Sequence, residues 1–529
     1  MSNQHISKNT NVTKAAGVVG TATFLSRILG YIRDMVFAWF FGAGFYSDAF
    51  IAAFRIPNML RSLFGEGSLS IAFIPVFTEH LTNKGKDEAF EMARSAIRLL
   101  AILLTIIAIL GVLLSPLIVR VIAYGFADSP EKFSLTVTLT RIMFPYIILI
   151  CLVALCMGIL NVLGHFAAPA LAPGLLNIAM IGSLFFVSLI SPSDTDIVMG
   201  LAVGVLIGGL LQIALQAPFL INKGFYFWQK AKIYHPALKK VGLLMLPAVF
   251  GSAVYQINTL IITLLASLLP EGSVTYLYYA DRLVQFPLGI FGVATATAVM
   301  PSLSRHVAEN DLEALRETFA HAMKLVLFIT IPSMIGLIVL REPIIALLFN
   351  RGAFSAQDTH LTANALLYYG VGLWAFSAVR IVVATFYALQ DTRTPVQMAI
   401  ISIIANIVLG ILLMVPMGHG GLALALSLAS MLNLGLLTRA LRVRLGSLGW
   451  KSIAGSAGRT MTCSVAMGIA VWAVALFIPS EHGNLSGLFF GLMGSILIGA
   501  VIFGIFSFLT KSPELDEVLV IVRRGLKKQ

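Results

Sequence analysis

Charge is what this sequence has least of. Only 11% of its 529 residues are Asp, Glu, Lys or Arg, against about a quarter in soluble domains, while 58% are hydrophobic and the mean hydropathy is +0.92. That balance excludes an ordinary water-soluble fold and indicates a polytopic integral membrane protein. Cysteine is nearly absent too. Cys151, Cys156 and Cys463 lie in apolar runs far from any His/Cys cluster, which excludes a disulfide framework and offers no metal site. A Gly-Lys-Ser/Thr phosphate loop and a nucleophile beside a base are both missing, so neither an ATPase nor an ordinary enzyme has a motif to rest on, and no cofactor is called for. The segment Met1 to Ala16 is polar, carries Lys8 and Lys14, and has no apolar core before a cleavage site. The N-terminus is therefore expected to be retained and cytoplasmic.

Long apolar runs are abundant. Runs of about 20 residues, enough to cross a hydrocarbon core of about 30 Å, number fourteen in an all-α reading: 17–42, 48–80, 93–123, 135–163, 168–190, 197–222, 241–269, 275–304, 318–349, 362–390, 394–417, 420–445, 456–478 and 485–509. Short cytoplasmic loops should hold the excess of Lys and Arg. Connections after even-numbered spans carry Lys84, Lys86, Lys223, Lys230, Lys232, Lys239, Lys240, Arg305, Arg393, Arg439, Arg442, Arg444 and Lys451, whereas those after odd-numbered spans carry little beyond Lys132 and Arg351. Both ends are thus expected on the cytoplasmic side. A basic cytoplasmic rim also accounts for most of the net charge of +12 without nucleic acid as a partner.

An internal duplication recurs at about 225 residues. Ala72-Phe73-Ile74-Pro75 is echoed by Ala298-Val299-Met300-Pro301, Pro116 and Gly125 by Pro343 and Gly352, and Gly200-Leu201-Ala202 by Gly421-Leu422-Ala423. Each copy holds six spans, an even number, so the copies share one orientation about an axis along the membrane normal. The expected organisation is two pseudo-symmetric six-helix lobes, 1–222 and 241–445, joined by a cytoplasmic linker, 223–240, and followed by two extra helices and a tail, 446–529.

Six basic residues interrupt the apolar spans: Arg27, Arg33, Arg55, Arg61, Arg282 and Arg380. An arginine at bilayer centre costs about 2.5–3.5 kcal/mol on insertion scales and normally faces a bundle interior or a water-filled path. Arg27 and Asp34 share a helix face, with Arg33 rotated by about 100° from Asp34. Pro57, with Gly65 and Gly67 around Glu66, should break or kink the second span, as is tolerated beside a cavity. In the second lobe Asp281 and Gln285 stand one turn apart beside Arg282. The alternatives to an anion receptor are helix-holding pairs, Arg27 with Asp34 and Arg282 with Asp281, or a proton or Na⁺ site at Asp34, Asp48 and Asp281.

At these residues the chain becomes recognisable. Ser26-Arg27-x-x-Gly30-x-x-Arg33-Asp34, Gly42-x-Gly44-x-x-x-Asp48-Ala49-Phe50, Pro57-Asn58-x-x-Arg61, Gly65-Glu66-Gly67 and Tyr278-Tyr279-Ala280-Asp281-Arg282 with Phe286-Pro287 resemble the signature of the MurJ (MviN) lipid II flippase family. The resemblance runs from about Gly17 to the tail and implies the multidrug/oligosaccharidyl-lipid/polysaccharide (MOP) exporter superfamily. It implies as substrate undecaprenyl-pyrophosphate bearing the peptidoglycan disaccharide-pentapeptide, and a cationic central cavity lined by Arg27, Arg33, Arg61 and Arg282. The wider set of candidate substrate-site residues adds Asp34, Asp48, Glu66, Asp281, Gln285 and Arg380. The two last helices would form a lipid-tail groove with the second lobe. Gln285 departs from the family pattern, since relatives can carry glutamate there.

The chemistry of the residues fits that ligand. A pyrophosphate diester is a dianion suited to guanidinium forks, whose planar bidentate contacts lysine does not reproduce. The expected function is lipid II flipping by alternating access in the bacterial inner membrane, by a monomer that is not an enzyme, with Na⁺ or H⁺ as candidate coupling ions. Two rival readings are a cation-coupled drug or polysaccharide-lipid exporter of the same superfamily, which predicts an acidic cavity and twelve helices, and an intramembrane polyprenyl-phosphate enzyme, for which Asp48 with Glu66 is the one weak candidate.

Overall fold

The computed structural model describes residues 2–63, 69–478 and 485–526, and among them there is no strand. Two compact units divide the chain, Met1–Val274 and Thr275–Gln529. The first contains α1 (Ser2–Phe41), α2 (Phe45–Leu60), α3 (Leu69–Asn83), α4 (Lys86–Leu113), α5 (Ser115–Ile122), α6 (Pro130–Met143), α7 (Tyr146–Val162), α8 (Ala167–Ile190), α9 (Asp194–Asn222) and α10 (Ala237–Ser267). The second runs through α11 (Ser273–Pro287), α12 (Ala294–Ala308), α13 (Leu312–Val339), α14 (Arg341–Phe349), α15 (Ala356–Ala388), α16 (Arg393–Leu445), α17 (Trp450–Ala475), α18 (Leu485–Leu509) and α19 (Pro513–Leu526).

Ten helical stretches among the described residues are long and apolar enough to cross a membrane. The chain is a polytopic all-α membrane protein, as its composition requires. Three of the fourteen expected spans, those beginning in α1, α2 and α10, are not among the ten counted over the described residues, where α10 contributes the apolar stretch Gln256–Ser267. Two other expected spans, 394–417 and 420–445, lie in one 53-residue stretch, α16. A straight helix of that length would extend about 80 Å at 1.5 Å per residue, yet Arg444 near its end meets Asp391 just before its start at 2.6 Å. The chain reverses at Gly418, whose φ of 57° and ψ of −138° no helix contains. Asp391 closes this reversal by accepting from the Arg393 and Thr394 amides and the Thr394 hydroxyl. Burial raises the Asp391 pKa, but the bonds from Thr394 and the Arg444 charge outweigh it and hold the carboxyl below its ordinary range.

In the first unit α8 packs against α9 and α1, α2 against α6, and α7 against α9, α3 and α4. Phe73, Phe77, Phe90, Met92, Ile159, Leu160 and Phe225 form a core at the α3–α4–α7 side. In the second unit α15 packs against α16 and α13, and α13 and α18 both flank α17. The duplication is visible as local structure. The third span of each copy breaks into a long and a short helix, α4–α5 at Leu114 and α13–α14 at Leu340. The second span of each copy contains a π-helical turn, over residues 61–63 and again over Leu288–Val293. Pro57 does not break its helix: α2 continues through it to Leu60 and widens only afterwards. The expected glycine break, with Gly65, Glu66 and Gly67, lies outside the described residues.

Candidate functional site

The candidate residues are charged side chains set among apolar helical stretches, and each unit holds its own group. In the first unit, Ser26, Gly30 and Arg33 recur at helical spacing along the face of α1 that meets α8. There Asn177 of α8 donates through Nδ2 to the Ser26 carbonyl at 3.2 Å and accepts on Oδ1 from Arg33 Nη1 at 3.2 Å. Arg33 also donates from Nη2 and Nε to Asp34 Oδ1 at 2.6 and 3.1 Å, and Nη1 lies 3.9 Å from Met180 Sδ. Arg33 and Asp34 are only 7% and 3% exposed. Asp34 is thus bonded by Arg33, whereas the shared helix face suggested Arg27. A helical wheel fixes where a side chain starts, whereas the long arginine stem folds along the helix to reach its neighbour. Arg27 is exposed.

α2 carries the rest of the first group. Arg55 donates from Nε to Thr263 Oγ1 at 3.0 Å, and Arg61 from Nε to Asn58 Oδ1 at 3.0 Å, one turn back. Asp48 is 1% exposed. Its Oδ2 accepts from Lys132 Nζ at 2.9 Å and from the Gly272 amide at 2.8 Å. The Lys132 ammonium also lies 4.5 Å from the Phe126 ring centroid. Lys132 reads in sequence as a loop charge; it is in fact buried in the first turn of α6 and fixes the start of α2 to it. Glu66 lies outside the described residues.

The second unit holds Arg282, Asp281, Gln285 and Arg380. Arg282 donates from Nε and Nη2 to Tyr278 Oη at 3.3 and 3.2 Å, with its guanidinium carbon 5.3 Å from the Tyr278 ring centroid. Tyr278 is thus a partner of Arg282, and it stacks against the guanidinium plane. Asp281 accepts from Gln285 Nε2 at 3.4 Å, the one-turn contact the spacing predicts. Arg380 lies exposed on α15. A buried cluster also fixes helix starts here: Asp358 accepts from Tyr276 Oη at 2.8 Å and from the Ser355 amide and hydroxyl, both at 2.8 Å. Asn177, Tyr278 and the buried role of Lys132 escape sequence reasoning. An asparagine within an otherwise apolar helix is the one signal that could have found the first of them.

These groups can bind and orient an anion: guanidinium forks at membrane depth supply charge-assisted hydrogen bonds to phosphate oxygens. Comparison with known proteins gives the family. Residues 37–506 match the family described as lipid II flippase MurJ. A probable lipid II flippase MurJ of Vibrio cholerae is 40% identical over 438 residues, covering 82% of this chain and 83% of that protein. One of Haemophilus influenzae is 35% identical over 500 residues, covering 91% and 96%. Among solved structures, lipid II flippase MurJ in an inward closed conformation superposes with a TM-score of 0.77 at 30% identity, covering 93% of this chain and 98% of that one. An inward-facing multidrug resistance MATE family transporter of the MOP superfamily shares the fold, with a TM-score of 0.67 at 18% identity, covering 80% and 96%. With the motifs, the helices and the relatives in agreement, this chain belongs to the MurJ lipid II flippase family.

Proposed function

We propose that the chain carries lipid II from the cytoplasmic to the periplasmic leaflet of the bacterial inner membrane by alternating access, as a monomer with both termini cytoplasmic. Arg27, Arg33, Arg61 and Arg282 bind the pyrophosphate, and Asp34, Asp281, Gln285 and Arg380 border the head group. Asp48 serves that site indirectly, by fixing the start of α2. The observation that carries the reading is charge balance. Lys132 matches the Asp48 carboxylate, so the membrane-depth part of α1 and α2 sets Arg27, Arg33, Arg55 and Arg61 against Asp34. Such an excess suits a dianion and opposes a cationic drug. An anion moving outward across an inside-negative membrane gains about 2.3 kcal/mol per charge per 100 mV. The potential therefore favours the proposed direction without ATP, and the substrate leaves chemically unchanged. Expression in a bacterium depleted of its own lipid II flippase tests the proposal. The wild-type chain should restore growth, and Arg282→Ala should fail at normal membrane abundance. Full rescue by Arg282→Ala would remove it from the binding set.

A further inference from the structure

The segment between α9 and α10 is held to the protein in a way that neither the helix packing nor the proposed transport requires. Phe225 is fully buried, with its ring 5.3 Å from that of Phe90. Arg94 donates from Nη1 to Gln229 Oε1 at 2.7 Å, and Arg98 donates from Nη2 to the Gln229 carbonyl at 2.7 Å and from Nη1 to that of Ala231. His235 hydrogen-bonds through Nε2 with Glu88 Oε1 at 3.1 Å. Residues 228–235 are therefore fixed beside the first turns of α4.

That level of α4 is recognisable. Below it the helix starts with Lys86, Asp87 and Glu88; just above Arg98 begins the apolar run in which Ile102, Leu103, Ile106, Ile109 and Leu110 are all exposed. In a membrane protein such a face meets hydrocarbon, so Arg94 and Arg98 mark the polar boundary. At this level the clamped segment turns outward Trp228, 69% exposed, and the exposed Ile233 and Tyr234, together with the exposed lysines Lys230 and Lys232. Trp and Tyr are the residues that favour the headgroup layer, and lysines there attract anionic lipid.

We propose that Trp228–Tyr234 is an interfacial anchor: Lys230 and Lys232 take the phosphates of anionic phospholipid headgroups while Trp228, Ile233 and Tyr234 enter the headgroup boundary. The charge complementarity selects bulk anionic lipid, and the clamp by Arg94 and Arg98 presents the lysines at a fixed depth instead of on a loose tether.

The test uses the full chain with Trp228 kept and the other four tryptophans changed to Phe, reconstituted in vesicles of phosphatidylcholine with phosphatidylglycerol. Acyl-brominated phosphatidylglycerol should quench Trp228 more than brominated phosphatidylcholine does at equal mole fraction, with a preference of roughly fivefold per lysine at low salt that falls as salt rises. K230Q with K232Q should abolish the preference and leave lipid II transport intact. Native mass spectrometry of the otherwise wild-type chain, with and without the two substitutions, gives the same comparison as retained phosphatidylglycerol should the tryptophan variant not fold. Equal quenching by both lipids, or a preference that survives the double substitution, would overturn the proposal. So would displacement of the brominated lipid by trace lipid II, or loss of transport in the double variant, since either would give these lysines to the substrate.

Discussion

Arg33 bonds through both ends of its guanidinium, to Asp34 and to Asn177, so removing it does two things at once. Arg33→Ala takes away an anion-binding group and also leaves Asp34 buried without this counter-charge, at a cost of about 3–5 kcal/mol. Arg33→Lys separates the two effects. It keeps the charge beside Asp34, so the unfolding free energy in detergent should stay within about 1.5 kcal/mol of wild type. Loss of the fork should weaken lipid II binding about tenfold, the equivalent of one charge-assisted bond. Asn177 bonds the Arg33 guanidinium and would act on a bound anion through it. A double-mutant cycle of Arg33→Lys with Asn177→Ala, read in lipid II affinity, should therefore be non-additive by about 0.5–3 kcal/mol. Additive losses would make Asn177 a helix-packing residue alone. Sequence singled out Arg33, because a charge in an apolar helix stands out. It did not show Asn177, which lies 144 positions away and belongs to no local pattern.

At the scale of elements, each repeat fixes the start of its second span to the start of its fourth with a buried polar contact, but the chemistry differs. The first repeat uses Asp48 on α2 with Lys132 on α6; the second uses Tyr276 on α11 with Asp358 on α15. The ionic version has a sharper consequence. Lys132→Met should destabilise by about 3–5 kcal/mol by leaving Asp48 buried without that counter-charge, and adding Asp48→Asn should recover part of that loss in the same unfolding measurement. No recovery would mean that Lys132 acts through packing. The reversal inside α16 is equally specific. A Cβ on Gly421 would lie 2.1 Å from the Leu413 carbonyl oxygen, so backbone must shift to admit it. Gly421→Ala should cost about 1–3 kcal/mol, seen as a lower thermal midpoint, while Gly435→Ala, where nothing lies within 4 Å, should not. The Gly-Leu-Ala repeat pointed to this position, since hydropathy separates spans 394–417 and 420–445. The π turns after Leu60 and Pro287 were not legible, because proline predicts a break at its own position and hydropathy does not report how a helix widens past it.

For the whole molecule, fold class and family were legible because both are written in patterns that survive without a structure: apolar runs of spanning length, a period of about 225 residues, and arginine motifs in α1, α2 and α11. Of the polar bonds that hold those arginines, the ones from Arg33 to Asn177 and from Arg55 to Thr263 were not legible, since they join residues distant in sequence. The central claim is that this chain moves lipid II between leaflets by using guanidinium groups at membrane depth. Purified protein in liposomes carrying fluorescent lipid II in both leaflets measures it directly, through the fraction protected from an external quencher as labelled lipid exchanges, with the mass of the recovered lipid read afterwards. Wild-type protein should expose all of the label without changing its mass, and Arg33→Lys should slow exposure about tenfold. A protected fraction as large as in empty liposomes, or a rate unaffected by Arg33→Lys, would contradict the account.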